Sequence, residues 1–165
     1  MVINYLHKTG WFIGLVLLQV LILNNVHVAG YATPFLYIYL ILKIESDTPR
    51  NALMLWAFFL GLAVDIFSDT PGMNAAATVL LAFVRPVLLR MFISRDILEG
   101  IVPAVSTMGV SNFLKYLITG VLVHHGMLFV IEFFSIAHIG SLLLRIVASA
   151  LLTASCIMAV EGIRR

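Results

Sequence analysis

Four ionisable residues interrupt long apolar runs: Asp65, Arg85, Lys115 and Arg145. Charges at membrane depth are costly, and each is a functional candidate by default. Polar residues accompany two of them at steps of four. One set is Thr107, Ser111, Lys115 and Thr119, with Asn112 alongside, and the other is Ser141, Arg145, Ser149 and Thr153. Residues four apart share a helix face. Each run therefore carries a polar stripe, expected to face the bundle interior or a partner rather than acyl chains. Three of the four charges are cations, and Asp65 is the one clear acid, with Glu132 near an edge. Asp65 and Arg145 fall at similar depth and are expected to form an ion pair. Arg85 lies on the order of 12 Å from the near end of its helix, within snorkelling reach. Lys115 has no obvious intrachain acid. It calls for a partner's carboxylate, an anionic ligand, or a neutral amine.

Catalytic patterns are missing. The chain has no HExxH, no GxGD-type pair of intramembrane aspartates, and no Ser-His arrangement with a supporting acid. His124, His125, Glu132 and His138 are ligand types that zinc accepts, but only their type favours a site. No loop cradles a phosphate. A single cysteine, Cys156, rules out an internal disulfide. The expectation is a protein that is not an enzyme, with no cofactor and no metal.

The elements that place these residues follow from composition. Of 165 residues, 62% are hydrophobic and 11% charged, with a mean hydropathy of +1.08. Soluble domains carry about a quarter charged residues, so lipid is the expected solvent and nucleic-acid binding is excluded. Runs of roughly 20 apolar residues span a bilayer as helices. Six runs occur, near 9–24, 30–44, 52–67, 75–93, 101–123 and 137–160. They predict an all-α polytopic bundle of six transmembrane helices, one domain over 1–165. The segment 124–134 is expected to be an interfacial or re-entrant piece. Ser68-Asp69-Thr70-Pro71-Gly72 predicts a type II turn between the third and fourth spans, with Asn74 capping the fourth. Pro86 is expected to kink that helix. With six spans, Lys8, Lys43, Arg50, Arg90, Arg95, Arg164 and Arg165 all fall on the side of the two termini. The positive-inside rule then puts both termini in the cytoplasm.

An ordered set of motifs runs through the first half. Leu21-Ile22-Leu23-Asn24-Asn25 leads through Gly30-Tyr31-Ala32-Thr33-Pro34 to Tyr37. Gly61-Leu62-Ala63-Val64-Asp65-Ile66-Phe67 follows, then Gly72-Met73-Asn74-Ala75-Ala76-Ala77 and Arg85-Pro86. Together these resemble the rod-shape-determining MreD family of bacterial inner-membrane proteins, most clearly from Leu15 to Arg90. The resemblance implies a fold similar to the six-helix substrate-binding subunits of energy-coupling-factor transporters. It also implies a non-enzymatic scaffold in the cell-elongation (peptidoglycan synthesis) machinery. Its implied partners are an MreC-like bitopic protein and a RodA-type glycosyltransferase with a class B penicillin-binding protein, with the MreB filament acting indirectly. Membrane lipid surrounds the bundle. Asn74 stands where nearer relatives of that family carry histidine, so no histidine-dependent role is expected there. Asp65, Arg85, Lys115, Arg145, Ser111, Asn112 and Ser149 are the candidate docking or interior polar residues. A substrate-binding subunit of a vitamin-type transporter is the alternative, with the unpaired cations holding an anionic ligand.

Overall fold

The computed structural model describes residues 2–26, 32–93, 100–133 and 139–163. Among these the chain is helical, with no strand: α1 (Val2–Leu21), α2 (Tyr39–Lys43), α3 (Arg50–Ser68), α4 (Met73–Phe92), α5 (Val105–Met108), α6 (Val110–Phe133) and α7 (Ile139–Ile163), with 3-10 turns at Leu23–Asn25 and Leu36–Ile38. Four helices, α3, α4, α6 and α7, are long and apolar enough to cross a membrane, and Thr9–Asn25 is a shorter apolar helical stretch. This is the composition of a multi-pass helical membrane protein. Arg95, His138, Arg164 and Arg165 lie outside the described residues.

The α3–α4 hairpin follows from its turn residues. Gly72 adopts φ 81, ψ −4, and Met73 N–H bonds to Thr70 carbonyl at 3.3 Å, which is the type II turn expected of Pro71-Gly72. Asp69 ends α3 in the left-handed conformation at φ 54. The two helices then approach closely. A Cβ placed at Gly61 would fall 2.5 Å from Ala75 Cα and 2.6 Å from Ala75 N, and would also run into Thr78 Oγ1. Small residues permit such contact, and no side chain larger than hydrogen fits. Helix α4 runs unbroken through Pro86.

Two expected spans take a different form. The second expected span is 30–44, yet of its described residues, 32–44, only Tyr39–Lys43 is α-helical, preceded by an extended piece and one 3-10 turn. Pro34 accounts for this, since it lacks an N–H and pushes the residue before it to extended geometry. The segment is nonetheless the centre of the core: Tyr37, Ile38, Tyr39, Ile41 and Leu42 are all buried. Gly120 of α6 allows it in, because a Cβ there would lie 3.0 Å from Leu42 Cδ2. The other departure is α6. It starts only after Gly109, whose φ 75, ψ 157 breaks the helix between α5 and α6, and it continues through 124–133, the described part of the segment expected to be interfacial. His124 and His125 therefore sit well inside a long helix.

Candidate functional site

Asp65, near the end of α3, is 2% exposed and does not meet Arg145. Its Oδ1 accepts from Asn74 N–H (2.9 Å), Asn74 Nδ2 (3.0 Å) and Thr70 Oγ1 (2.9 Å), and its Oδ2 accepts from Ala75 N–H (2.9 Å). Asp65 is thus the N-terminal cap of α4, supplied from the preceding helix in place of the expected Asn74. An anion at this position is stabilised by the unpaired N–H groups and the helix dipole. Because a carboxylate only accepts, the Asn74 amide is oriented with its nitrogen toward Asp65. Its oxygen then accepts from the Tyr37 hydroxyl at 2.9 Å. Tyr37, having given its proton, accepts from His124 Nε2 at 2.9 Å. The result is one directional chain, His124 to Tyr37 to Asn74 to Asp65.

Arg85 is 1% exposed and does not snorkel. Its Nε donates to the Tyr116 hydroxyl at 3.1 Å, and its Nη2 donates to the carbonyls of Leu42 (3.4 Å) and Ile44. Tyr116 donates to Leu42 carbonyl as well, at 3.0 Å. These carbonyls close the C-terminal end of α2, where a cation is favoured. The arginine serves there as a side-chain cap for a helix far from it in sequence.

The rest of the buried polar set serves the same inner segment. Thr33 N–H bonds to Ser149 Oγ (3.2 Å), Phe35 N–H to Thr153 Oγ1 (3.0 Å), and Leu36 N–H to Gln19 Oε1 (2.9 Å). Gln19 Nε2 donates to Pro34 carbonyl at 2.9 Å. Backbone that is not helical survives at membrane depth only when protein satisfies its polar groups. These side chains supply that satisfaction. Thr153 also donates to His125 Nε2 (3.1 Å), while His125 Nδ1–H bonds to Val121 carbonyl (2.9 Å). At the far end, Glu161 pairs with Lys43 at 3.0 Å and accepts from Tyr39 at 2.7 Å. The expected inward stripe on α7 is therefore present at Ser149 and Thr153.

On α6 the stripe lies on the outward side of the bundle. Ser111, Asn112 and Lys115 are exposed, Thr119 bonds to its own Lys115 carbonyl at 2.8 Å, and the buried face of α6 is instead Phe113, Tyr116, Leu117, Gly120, Val121, His124 and His125. Arg145 is half-buried on α7, and its charge acts on the exposed Glu132. No group of three His, Cys, Asp or Glu side chains clusters among the described residues, and His124 and His125 are turned to Tyr37 and Thr153. Gln19, Tyr37, Tyr116, His124 and His125 had no signal as spacers of a stripe. What could have found them is Pro34, which announces a backbone needing outside donors and acceptors. No known protein family, curated protein or solved structure matches the chain.

Proposed function

We propose that this chain is a non-enzymatic scaffold or regulator of the bacterial cell-elongation machinery, spanning the cytoplasmic membrane six times with both termini inside. On this reading residues 32–44 are the second crossing, allowed despite their irregular backbone because the bundle buries them. The motif set from Leu15 to Arg90 supplies the resemblance to the MreD family. The observation that carries the reading is how the buried polar groups are used. Asp65, Arg85, Ser149, Thr153 and Glu161 are each bonded to this chain's own backbone or side chains. That leaves the outer helix faces for contact with others, and the 69–72 turn between α3 and α4 is too short to hold a binding domain. Partners would be the membrane helices of an MreC-like protein and of a RodA-type glycosyltransferase with its class B penicillin-binding protein. The bundle would favour the active state of the synthase by binding one partner conformation better than another.

Gentle affinity purification from the native membrane, with mass spectrometry of proteins and small molecules, tests this. Wall-synthesis proteins are the expected companions. A transporter module or a stoichiometric vitamin-type ligand, as distinct from membrane lipid, would overturn the reading and make the chain a substrate-binding subunit.

A further inference from the structure

We propose that the outward face of α6 in its first two turns holds the phosphate of an anionic phospholipid, through Lys115, Asn112 and Ser111. All three side chains are exposed, and none has a hydrogen bond or ion pair to a described residue. Around them the same face is apolar: Val110, Leu114, Ile118 and Leu122 are each at least 37% exposed. The three polar groups are thus a confined donor patch at one end of a lipid-facing surface.

Their positions converge. Residues 111 and 115 are four apart and 112 and 115 three apart, so Lys115 stands one turn above the other two on one face. Helix side chains lean toward the N-terminus. The Lys115 stem can therefore run back over Ser111 and Asn112, which lets its ammonium reach the same ligand as the asparagine amide and the serine hydroxyl. Depth agrees with this. The 24 residues of α6 extend about 36 Å, against a hydrocarbon thickness of about 30 Å. Centred in the bilayer, α6 puts Ser111 and Asn112 at the hydrocarbon boundary, within snorkelling distance of Lys115. Lipid phosphates lie just outside that boundary, in the headgroup layer, within reach of a snorkelling ammonium.

The chemistry favours a phosphate over a protein carboxylate. The patch offers an ammonium together with an amide and a hydroxyl, both able to donate, and a phosphodiester has several acceptor oxygens that can take them together. A carboxylate would have to come from one partner helix carrying an acid at this level, whereas headgroup phosphates surround the whole bundle just outside it. The short side chains of Asn112 and Ser111 reach no headgroup deeper or shallower than this boundary. They would remain unsatisfied against acyl chains alone.

Purified full-length protein in zwitterionic phosphatidylcholine nanodiscs, titrated with phosphatidylglycerol, tests the site by native mass spectrometry and thermal unfolding. Wild type should retain phosphatidylglycerol in preference to phosphatidylcholine and gain thermal stability from it. Retention should fall roughly fivefold in Lys115→Gln, the worth of one basic contact at an anionic membrane surface. It should fall also in Asn112→Leu and recover in Lys115→Arg. Equal retention of the two lipids, or retention unchanged in Lys115→Gln, would overturn the proposal. So would a protein that leaves the native complex in Lys115→Gln while lipid retention stays the same, since that assigns the face to a partner helix. None of these outcomes depends on which machinery the chain serves.

Discussion

Asp65 and Arg85 are both buried, of opposite sign, and placed toward opposite ends of α4, yet they are stabilised in the same way. Neither is neutralised by the other. Asp65 closes the N-terminus of α4 and Arg85 the C-terminus of α2, so each charge meets the end of a helix whose dipole it complements. The difference lies in reach. Asp65 bonds to residues 5 to 10 positions away, within one hairpin, while Arg85 bonds to residues 31 to 43 positions away. One charge finishes a local turn. The other fastens the inner segment to α4 and, through Tyr116, to α6.

That contrast sets the order of expected effects. Arg85→Met should be the most damaging, about 3–5 kcal/mol in reversible unfolding from micelles, because buried carbonyls and a hydroxyl lose a charged donor. Arg85→Lys should recover less than half, since one ammonium cannot serve Tyr116 and two carbonyls in a fixed fork. Asp65→Ala should cost less, about 2–3 kcal/mol by the same measurement, with Asp65→Asn near half of that. Gly61→Ala should cost about 1–3 kcal/mol by wedging α4 off the helix that supplies its cap. Tyr37→Phe should cost about 1 kcal/mol, leaving Asn74 and His124 without their shared partner. The smallest effect is the sharpest. In a double-mutant cycle of Asp65→Asn with Arg85→Lys, coupling should stay below about 0.5 kcal/mol, as for separate sites with no common partner. Coupling above about 1 kcal/mol would mean that the two charges act on each other after all.

Much of the architecture could be read from residue order, and the reasons for the rest are specific. Pro71-Gly72 dictates a turn, and the helices on either side match the runs expected there, as does α7. Ser149 and Thr153 were legible as an inward stripe because α7 packs one face over much of its length. On α6 the same spacing left the interior and a partner both open, since it identifies a face without saying what it meets, and the stripe lies outward. Phe113, Tyr116, Gly120 and His124 form a competing face of the same period, and packing against α4 and the inner segment selected it. The Asp65–Arg145 pair failed for another reason. Depth and charge considered only side chains, while the backbone at a helix end was the better partner. Pro34 was visible as well, but hydropathy alone gave residues 30–44 the appearance of an ordinary span.

The inner segment also bears on how the chain is made. Thr33 and Phe35 take their acceptors from Ser149 and Thr153, 116 and 118 positions later, and Tyr39 takes its own from Glu161, 122 positions later. A ribosome delivers those partners last. Until α7 emerges, Thr33, Phe35 and Tyr39 are without acceptors that hydrocarbon cannot replace, although Gln19 already serves Pro34 and Leu36. The first quarter of the chain is therefore completed by the final quarter, and a truncated product cannot close its own centre.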